Sequence, residues 1–524
     1  MPEERDQADR EMMKTVQNMM IHAWDSYYKT AAGADELKPV SGGKHNWYGE
    51  TSVLSTPIDA MDTLRMMGLD SRYEQAKGLV LKNLDFDIDV EVNLFETTIR
   101  VLGGLLSAWE FDDDPRYLKL AEDLADRMMG AFDTPTGLPL NFFNLKHKNA
   151  SGHGTTLSQA GTLQLELQYL SDVTGNAKYA EKALKVYDIM HSAGFAIKGL
   201  YPIEWSTDNI DGIKNGAGQR YGLGANSDSF YEYMLKVWMA TGEEKYREWY
   251  DESAEALKTH LVERKGDRVF VPDARYASTE AVHKVDSIHH LTCFAGGMFS
   301  TGALTRRRSY WTAFLDIGRS ITHTCWEAYK RTPTGLGPDE WVMDTMVAKD
   351  TNYFLRPETI ESIFYMWRFT HDETYREMGR AFAASLNKHC KLANGFSGLL
   401  DVSSKGPANH RDLQESFFLA ETLKYLYLLF ADDDTIPLEA FVFNTEGHPL
   451  SMRGWGRRKG LKRGSSGVGA GKKGIRDVEN KAKEAKLQKI DVSGLAFEAK
   501  GVGSKESTGP ANLASGDPSL EVSA

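Results

Sequence analysis

Along most of this chain, apolar positions recur every three to four residues, the period of helices with one buried face. Between Asp6 and Lys29 the apolar set is Met13, Val16, Met19, Met20, Ala23 and Tyr27, which predicts a first helix. SVLSTPIDAMDTLRMMGL then reads as a second helix, with Asp59 and Asp62 inside its apolar run. MGLDSRYEQAKGLVLKNL reads as a turn and a partner helix. From there the arrangement repeats. An apolar helix ends in a polar turn, and a tyrosine stands a few residues into the next helix: Tyr73, Tyr117, Tyr179, Tyr246, Tyr310 and Tyr375. A last apolar helix spans 414–430. Paired with the N-terminal helix, it brings the set to roughly seven helix pairs.

The repeat, roughly 60 residues, is long for the common helical solenoids. Its insertions carry short β-like runs, such as DRVFVPDARY at 267–276. An open strip of helix pairs needs polar capping repeats at its ends, and neither end here has one. The expected fold is therefore all-α, an (α/α)7 barrel of inner and outer helices. AFVFNTEGHPL, 440–450, reads as a strand and turn. Little apolar sequence follows it, so an apolar strand there must tuck into the helices. As a C-terminal β-hairpin plugging the barrel, it would carry Thr445 and Glu446 inside. Residues 1–450 are thus read as one α/α-barrel domain. Residues 451–524 are read as a basic, Gly/Lys-rich disordered tail with too few apolar residues to order itself.

Composition narrows the class. The chain is 41% hydrophobic and 26% charged, as soluble globular proteins are. Its 11 Trp, 22 Tyr and 23 Phe suit a sugar cleft, but a large helical core accounts for them more simply. A net charge of −12 argues against nucleic-acid binding. The sequence has neither an apolar run long enough to span a bilayer nor the apolar segment of a signal peptide. Membrane association is not encoded in this chain, and a monomer is expected. The three cysteines leave the redox compartment open.

The candidate chemistry lies where the acids sit. Glu96, Asp228, the pair Glu358 and Glu361, and Glu415 each stand at the entry to the first helix of a pair, just after a long loop. A single acid there is explained by capping and the helix dipole. The set is not, because Phe95, Phe230, Tyr231, Phe417 and Phe418 flank it. Carboxyls so surrounded are partly desolvated, which raises their pKa. A raised carboxyl beside an ionised one is the pairing that acid/base hydrolysis needs. Arg100, one turn after Glu96, would keep at least one acid ionised. Oxygen ligands of Thr445 and Glu446 near a ring of acids suit a hard cation such as Ca2+.

At these residues the chain resembles the class I α-mannosidases, glycoside hydrolase family 47, processing α-1,2-mannosidases of the secretory pathway. The resemblance spans about residues 10–450. It rests on DAMDTL, FETTIRVLGGLLSA, SDSFYEYMLK, HLTCFAGG, TGLGPD, LRPETIESIFY, ESFFLAETLKYLYLLF and FNTEGHP. It implies the seven-fold α/α barrel plugged by a hairpin, and Ca2+-dependent, inverting removal of terminal α-1,2-mannose from high-mannose N-glycans. It makes Glu96 the general acid, Glu358 the base for water, Asp228 a third essential acid, and Asp339 a further catalytic acid. Thr445 becomes the direct Ca2+ ligand. Arg100, Asp59, Glu361, Glu415 and Glu446 become sugar- and water-binding residues. It also implies a Cys293–Cys325 disulfide, a free Cys390, and the ER or Golgi lumen or secretion. Three positions depart from the family pattern. Asp339 stands where Glu is usual. Gln159 stands where many members have Glu. Asn226 stands where the ER subgroup has Arg, so trimming of several mannoses is expected. The contrasting possibility is a mannose-binding, lectin-like member without turnover.

Overall fold

Each long helix buries the face that its periodicity marks. The structure is a computed structural model that describes residues 8–452, apart from 217, 279–280 and 307–310. The first helix, Arg10–Thr30, buries Val16, Met19, Met20, Ala23, Trp24 and Tyr27. Asp9 sets its start by accepting the Met12 amide at 3.0 Å, so it begins later than Asp6. Six pairs follow, with their members packed together: Ser55–Met66 with Asp70–Asn83, Gly103–Asp112 with Pro115–Met128, Gln164–Thr174 with Lys178–Ser192, Asp228–Thr241 with Glu244–His260, Ala295–Thr305 with Trp311–Lys330, and Glu358–Thr370 with Glu373–His389. The helix Leu423–Phe430 packs on Arg10–Thr30, and the Asp9 amide donates to the Phe430 carbonyl at 2.9 Å.

The two members of a pair differ in burial. First members such as Ala295–Thr305 and Glu358–Thr370 are enclosed on nearly every face. Second members such as Asp70–Asn83 bury a single stripe, here Tyr73, Ala76 and Val80. The recurrent tyrosine fastens the second helix inward. Tyr73, Tyr117, Tyr179, Tyr246 and Tyr375 are all buried, and the Tyr73 and Tyr117 hydroxyls meet at 3.2 Å. Tyr310 lies outside the described residues. First members also touch one another: Ser55–Met66 with Gly103–Asp112, that helix with Gln164–Thr174, and Glu358–Thr370 with both Ala295–Thr305 and Leu423–Phe430.

The connections carry small antiparallel sheets. Glu91–Asn93, Phe142–Asn144 and Ala150–Ser151 form one, and the first of these strands runs straight into the Glu96 helix. The β-like run at 267–276 contributes to two strands, Arg268–Phe270 and Ala274–Ser278. The C-terminal hairpin pairs Phe441–Phe443 with Pro449–Ser451, one residue past the expected boundary at 450. Its interior end touches first-member helices from several pairs. The Phe443 ring lies 5.9 Å from Phe364 and 5.6 Å from Tyr425. Asn444 donates to the Ile99 carbonyl at 2.8 Å and to Glu166 at 2.9 Å. Glycine makes that approach possible: a Cβ on Gly103 would lie 2.5 Å from Asn444 Nδ2.

Cys293 and Cys325 are joined in a disulfide, and Cys390 is free and buried. No helix among the described residues is long and apolar enough to cross a membrane. The tail expected at 451–524 lies outside the described residues beyond 452.

Candidate active site

The Glu96 segment departs from a regular α-helix. Asn93 caps it by accepting the Glu96 amide at 2.9 Å. One α-turn later, Thr97–Leu102 is wound as a π-helix before α-geometry resumes at Gly103. Such turns gather at functional sites because the extra residue re-aims side chains. Here Arg100 Nε donates to Glu96 at 2.8 Å, Nη1 pairs with Glu446, and Asp59 stands behind at 3.8 Å. The guanidinium is flanked by the Trp47 ring at 5.3 Å and the Phe417 ring at 5.5 Å. Asp59 has no exposed surface, and His448 Nε2 lies 3.3 Å from it.

The helix Glu358–Thr370 brings Glu358 into a second set of partners. His290 Nδ1 donates to its carboxylate at 2.8 Å, leaving Nε2, 2.7 Å from the Tyr329 hydroxyl, to accept when the ring is neutral. Burial pushes the Glu358 carboxyl up. The His290 hydrogen bond and the charges of His290 and Arg356 outweigh burial, so the net shift is downward. Arg356 also pairs with Asp339 at 2.5 Å, and Asp339 meets His289 at 3.3 Å. Burial opposes ionisation of Asp339, but His289 and Arg356 hold its carboxyl well below the usual range. The shorter acid therefore still reaches the arginine that adjoins Glu358.

Asp228 opens its helix in the same way and has the opposite tendency. Burial raises its pKa to about 6. The charges of Glu358 and Glu232 add to that, and only the Ser229 amide and hydroxyl pull the other way. Both Ser229 groups bond Asp228, at 2.7 Å and 3.1 Å. Two carboxyls close enough to feel each other are thus biased to different protonation states.

Thr445 sits at the hairpin tip, its amide donating to the Tyr233 hydroxyl at 3.1 Å. Around the tip is a surplus of negative charge. Glu361 is raised well above the ordinary range by burial and then by Glu232 and Glu358, against Lys236, which pairs with Glu232 at 2.8 Å. Glu421 is raised by burial and then by Glu361 and Glu358. Glu446 is raised by burial and by Asp59 and Glu421, against Arg100. Among the described residues no three His, Cys, Asp or Glu side chains stand at direct-ligand spacing. The Thr445 hydroxyl and the carboxyls gathered at the tip are hard oxygen donors, the chemistry that suits Ca2+. Glu415 lies further out among the charges of Arg100, Arg411 and Arg356, and burial raises it to about 6.

Several of these groups escape a sequence reading. Glu421 and Lys424, three apart in an apolar helix, look like an exposed ion pair; the π-turn Phe418–Thr422 turns Glu421 inward instead. Glu36 comes from a short strand, Glu36–Lys38, far away in sequence. Burial and then the charge of Glu415 push it up to about 8, and the Ser416 amide donates to it at 3.0 Å. Glu166 accepts from Tyr233 at 2.6 Å inside a helix buried all round from Gln164 to Ser171. His290 could have been found in HLTCF, which already held one disulfide cysteine.

Coupled carboxyls at the starts of paired helices, biased to opposite protonation, are the equipment of an acid/base hydrolase of helical fold. Comparison gives the family. Residues 19–452 match the model of Glycosyl hydrolase family 47, and the chain belongs to that family. It is 41% identical to a mannosyl-oligosaccharide alpha-1,2-mannosidase IA of Drosophila melanogaster, over 86% of this chain and 69% of that one. It is 37% identical to the endoplasmic reticulum mannosyl-oligosaccharide 1,2-alpha-mannosidase of Rattus norvegicus, over 84% and 68%. Among solved structures it resembles an alpha-1,2-mannosidase from Trichoderma reesei, with a TM-score of 0.77 at 26% identity, covering 86% of this chain and all of that one. A cellobiose 2-epimerase from Bacillus thermoamylovorans shares the fold at a TM-score of 0.51 and 10% identity.

Proposed function

We propose that this chain is an inverting exo-α-1,2-mannosidase that trims terminal mannose from high-mannose N-glycans. The observation that carries the reading is the opposed pair: Glu358 held ionised, and Asp228 raised to about 6 by burial and by the charge of Glu358 and Glu232. The alternative, a mannose-binding member without turnover, has no use for that opposition.

In this reading the helix pairs close into an (α/α)7 barrel. The contact of Leu423–Phe430 with Arg10–Thr30 supports closure, as does a hairpin reached from several inner helices. Glu358 takes a proton from water, and His290 fixes the oxygen that does so. Arg356, itself held by Asp339, keeps that carboxylate charged. Glu96, held by Arg100, protonates the leaving oxygen. A second reading has a specific observation behind it: the raised pKa of Asp228 makes it the better proton store, giving the proton to the leaving oxygen directly or through Glu96. Inversion requires room for a water, so the acid and base should stand about 6.5–9.5 Å apart. Arg100, Glu361, Glu415 and Glu446 bind sugar hydroxyls and waters, and Asp59 contributes through Arg100.

Thr445 would hold Ca2+ directly, with Glu361, Glu421 and Glu446 holding its waters. The ion would supply positive charge that binds sugar hydroxyls and orients water. The disulfide and the secretory relatives support a lumenal or secreted setting. A time course of Man9 glycan trimming with Ca2+, followed by NMR, tests the proposal. Release of β-mannose in several steps is expected. α-Mannose as first product would refute inversion, and binding without release would leave the lectin reading standing.

A further inference from the structure

Behind the hairpin tip lies a second charged cluster that touches no open space. Asp62 and Lys424 are 1% and 0% exposed in side chain, and His448 is 0% exposed. Lys424 Nζ lies 2.9 Å from Asp62 Oδ1 and donates to the Gly447 carbonyl at 2.5 Å. His448 Nδ1 donates to Asp62 Oδ2 at 2.7 Å, and its Nε2 faces Asp59 Oδ1 at 3.3 Å. The Ser107 hydroxyl fills another site on Asp62 Oδ2 at 2.9 Å. Both ring nitrogens thus face carboxylate oxygens.

Such a cluster is an expensive way to hold a core together. Burying ions costs several kcal/mol each before pairing, and an apolar replacement of equal volume is often neutral or better. What an apolar replacement cannot do is aim a turn. Here every charge bears on one five-residue turn, 444–448. Lys424 grips the Gly447 carbonyl. His448 is clamped between two helix-borne acids, Asp59 and Asp62. At the other end the Asn444 side chain accepts the Glu446 and His448 amides at 2.9 Å and 2.8 Å. Gly447 adopts φ +70°, and a Cβ there would lie 3.1 Å from Glu421 Cγ. Between the two anchors stand Thr445 and Glu446.

We propose that Asp62, Lys424 and His448 are positioning residues that fix the hairpin turn, and through it Thr445, in the conformation that takes the cation. This rests on the assignment of Thr445 as a Ca2+ ligand. The three residues are buried away from open space. They act as an outer layer whose loss typically lowers metal affinity by about 10–100-fold.

The test is Ca2+ titration of the purified full chain by calorimetry, together with the melting temperature with and without Ca2+. The proteins are the wild type, Thr445→Val, Lys424→Met, and the double variant Lys424→Met/Asp62→Asn. The double variant removes the charge pair as a unit, which guards against a single variant that fails to fold around one unpaired ion. The expected result is a drop in Ca2+ affinity of at least about tenfold in both Lys424 variants, a smaller Ca2+-induced rise in melting temperature, and a much smaller loss in kcat at saturating Ca2+. Loss of Ca2+ binding in Thr445→Val, with full affinity in a folded double variant, would overturn this proposal and leave the ligand assignment intact. A wild type that binds no Ca2+, or a Thr445→Val that binds it normally, would overturn both.

Discussion

The first turns of Glu358–Thr370 and Asp228–Thr241 begin alike and end differently. Each carries an acid at the start of an enclosed helix, and in each burial is the largest influence on the carboxyl. Glu358 has a histidine in hydrogen-bond contact and an arginine nearby, and its pKa falls. Asp228 has only Ser229, faces Glu358 and Glu232, and rises to about 6. Burial therefore supplies the sensitivity, and the partners decide the sign. Acid and base can then be built from the same local structure, provided that a cation acts directly on one acid and, like Lys236 at Glu232, is engaged elsewhere near the other.

That comparison can be broken at either end. Glu358→Gln should have the largest effect, a fall in kcat of about 10⁴-fold on natural and activated substrates alike, because water loses its base. Asp228→Asn should cost about 10³-fold on a mannosyl disaccharide, but far less on α-mannosyl fluoride, whose leaving group needs no proton. Equal losses on both substrates would remove Asp228 from proton donation, and the same pair of assays on Glu96→Gln decides between the two donors.

The pH profile gives the next effect. Glu358 works deprotonated, so its downward shift keeps activity on the acid side to below its ordinary 4.5. Asp228 works protonated, so kcat/KM should fall as pH rises through about 6. His290→Phe removes what opposes burial at Glu358. The acid limb should then move upward, with a loss of about 10²-fold at the optimum. An unmoved limb would mean that His290 only fills space. Asp339→Asn should act least, roughly twofold at the optimum, with the acid limb displaced slightly downward as Arg356 turns wholly to Glu358 and Glu415.

Much of this was legible in the chain. Tyr73, Tyr117, Tyr179, Tyr246 and Tyr375 mark the pairs because an aromatic buried one turn after a polar loop is what docks the second helix. The acids at helix starts stood out because apolar neighbours surround them. What could not be read, beyond the Glu96–Arg100 pair, was the partner of each acid. His290 and Glu358 lie far apart in the chain, and so do Glu36 and Glu415. Nothing in local periodicity joins them. Asp59 reads as a site acid, yet it is sealed behind Arg100 and His448. Glu421 and Lys424 were hidden for another reason. Their spacing imitates a solvated helix face, but Glu421 lies within the π-turn Phe418–Thr422 and both side chains are buried.

The two π-turns, Thr97–Leu102 and Phe418–Thr422, have a consequence for how this protein can change. Each is a helix with one residue more than regular winding needs, so each stores a ready-made shorter alternative. Removing a single residue from either would restore ordinary winding and should make that helix more stable. It would also swing the residues on one side by about a third of a turn, taking Arg100 from Glu96, or Glu421 from the hairpin tip. A screen for thermal tolerance would reach such deletions easily, and a screen for turnover would reject them. At these two turns, the fold's easiest route to robustness leads away from catalysis.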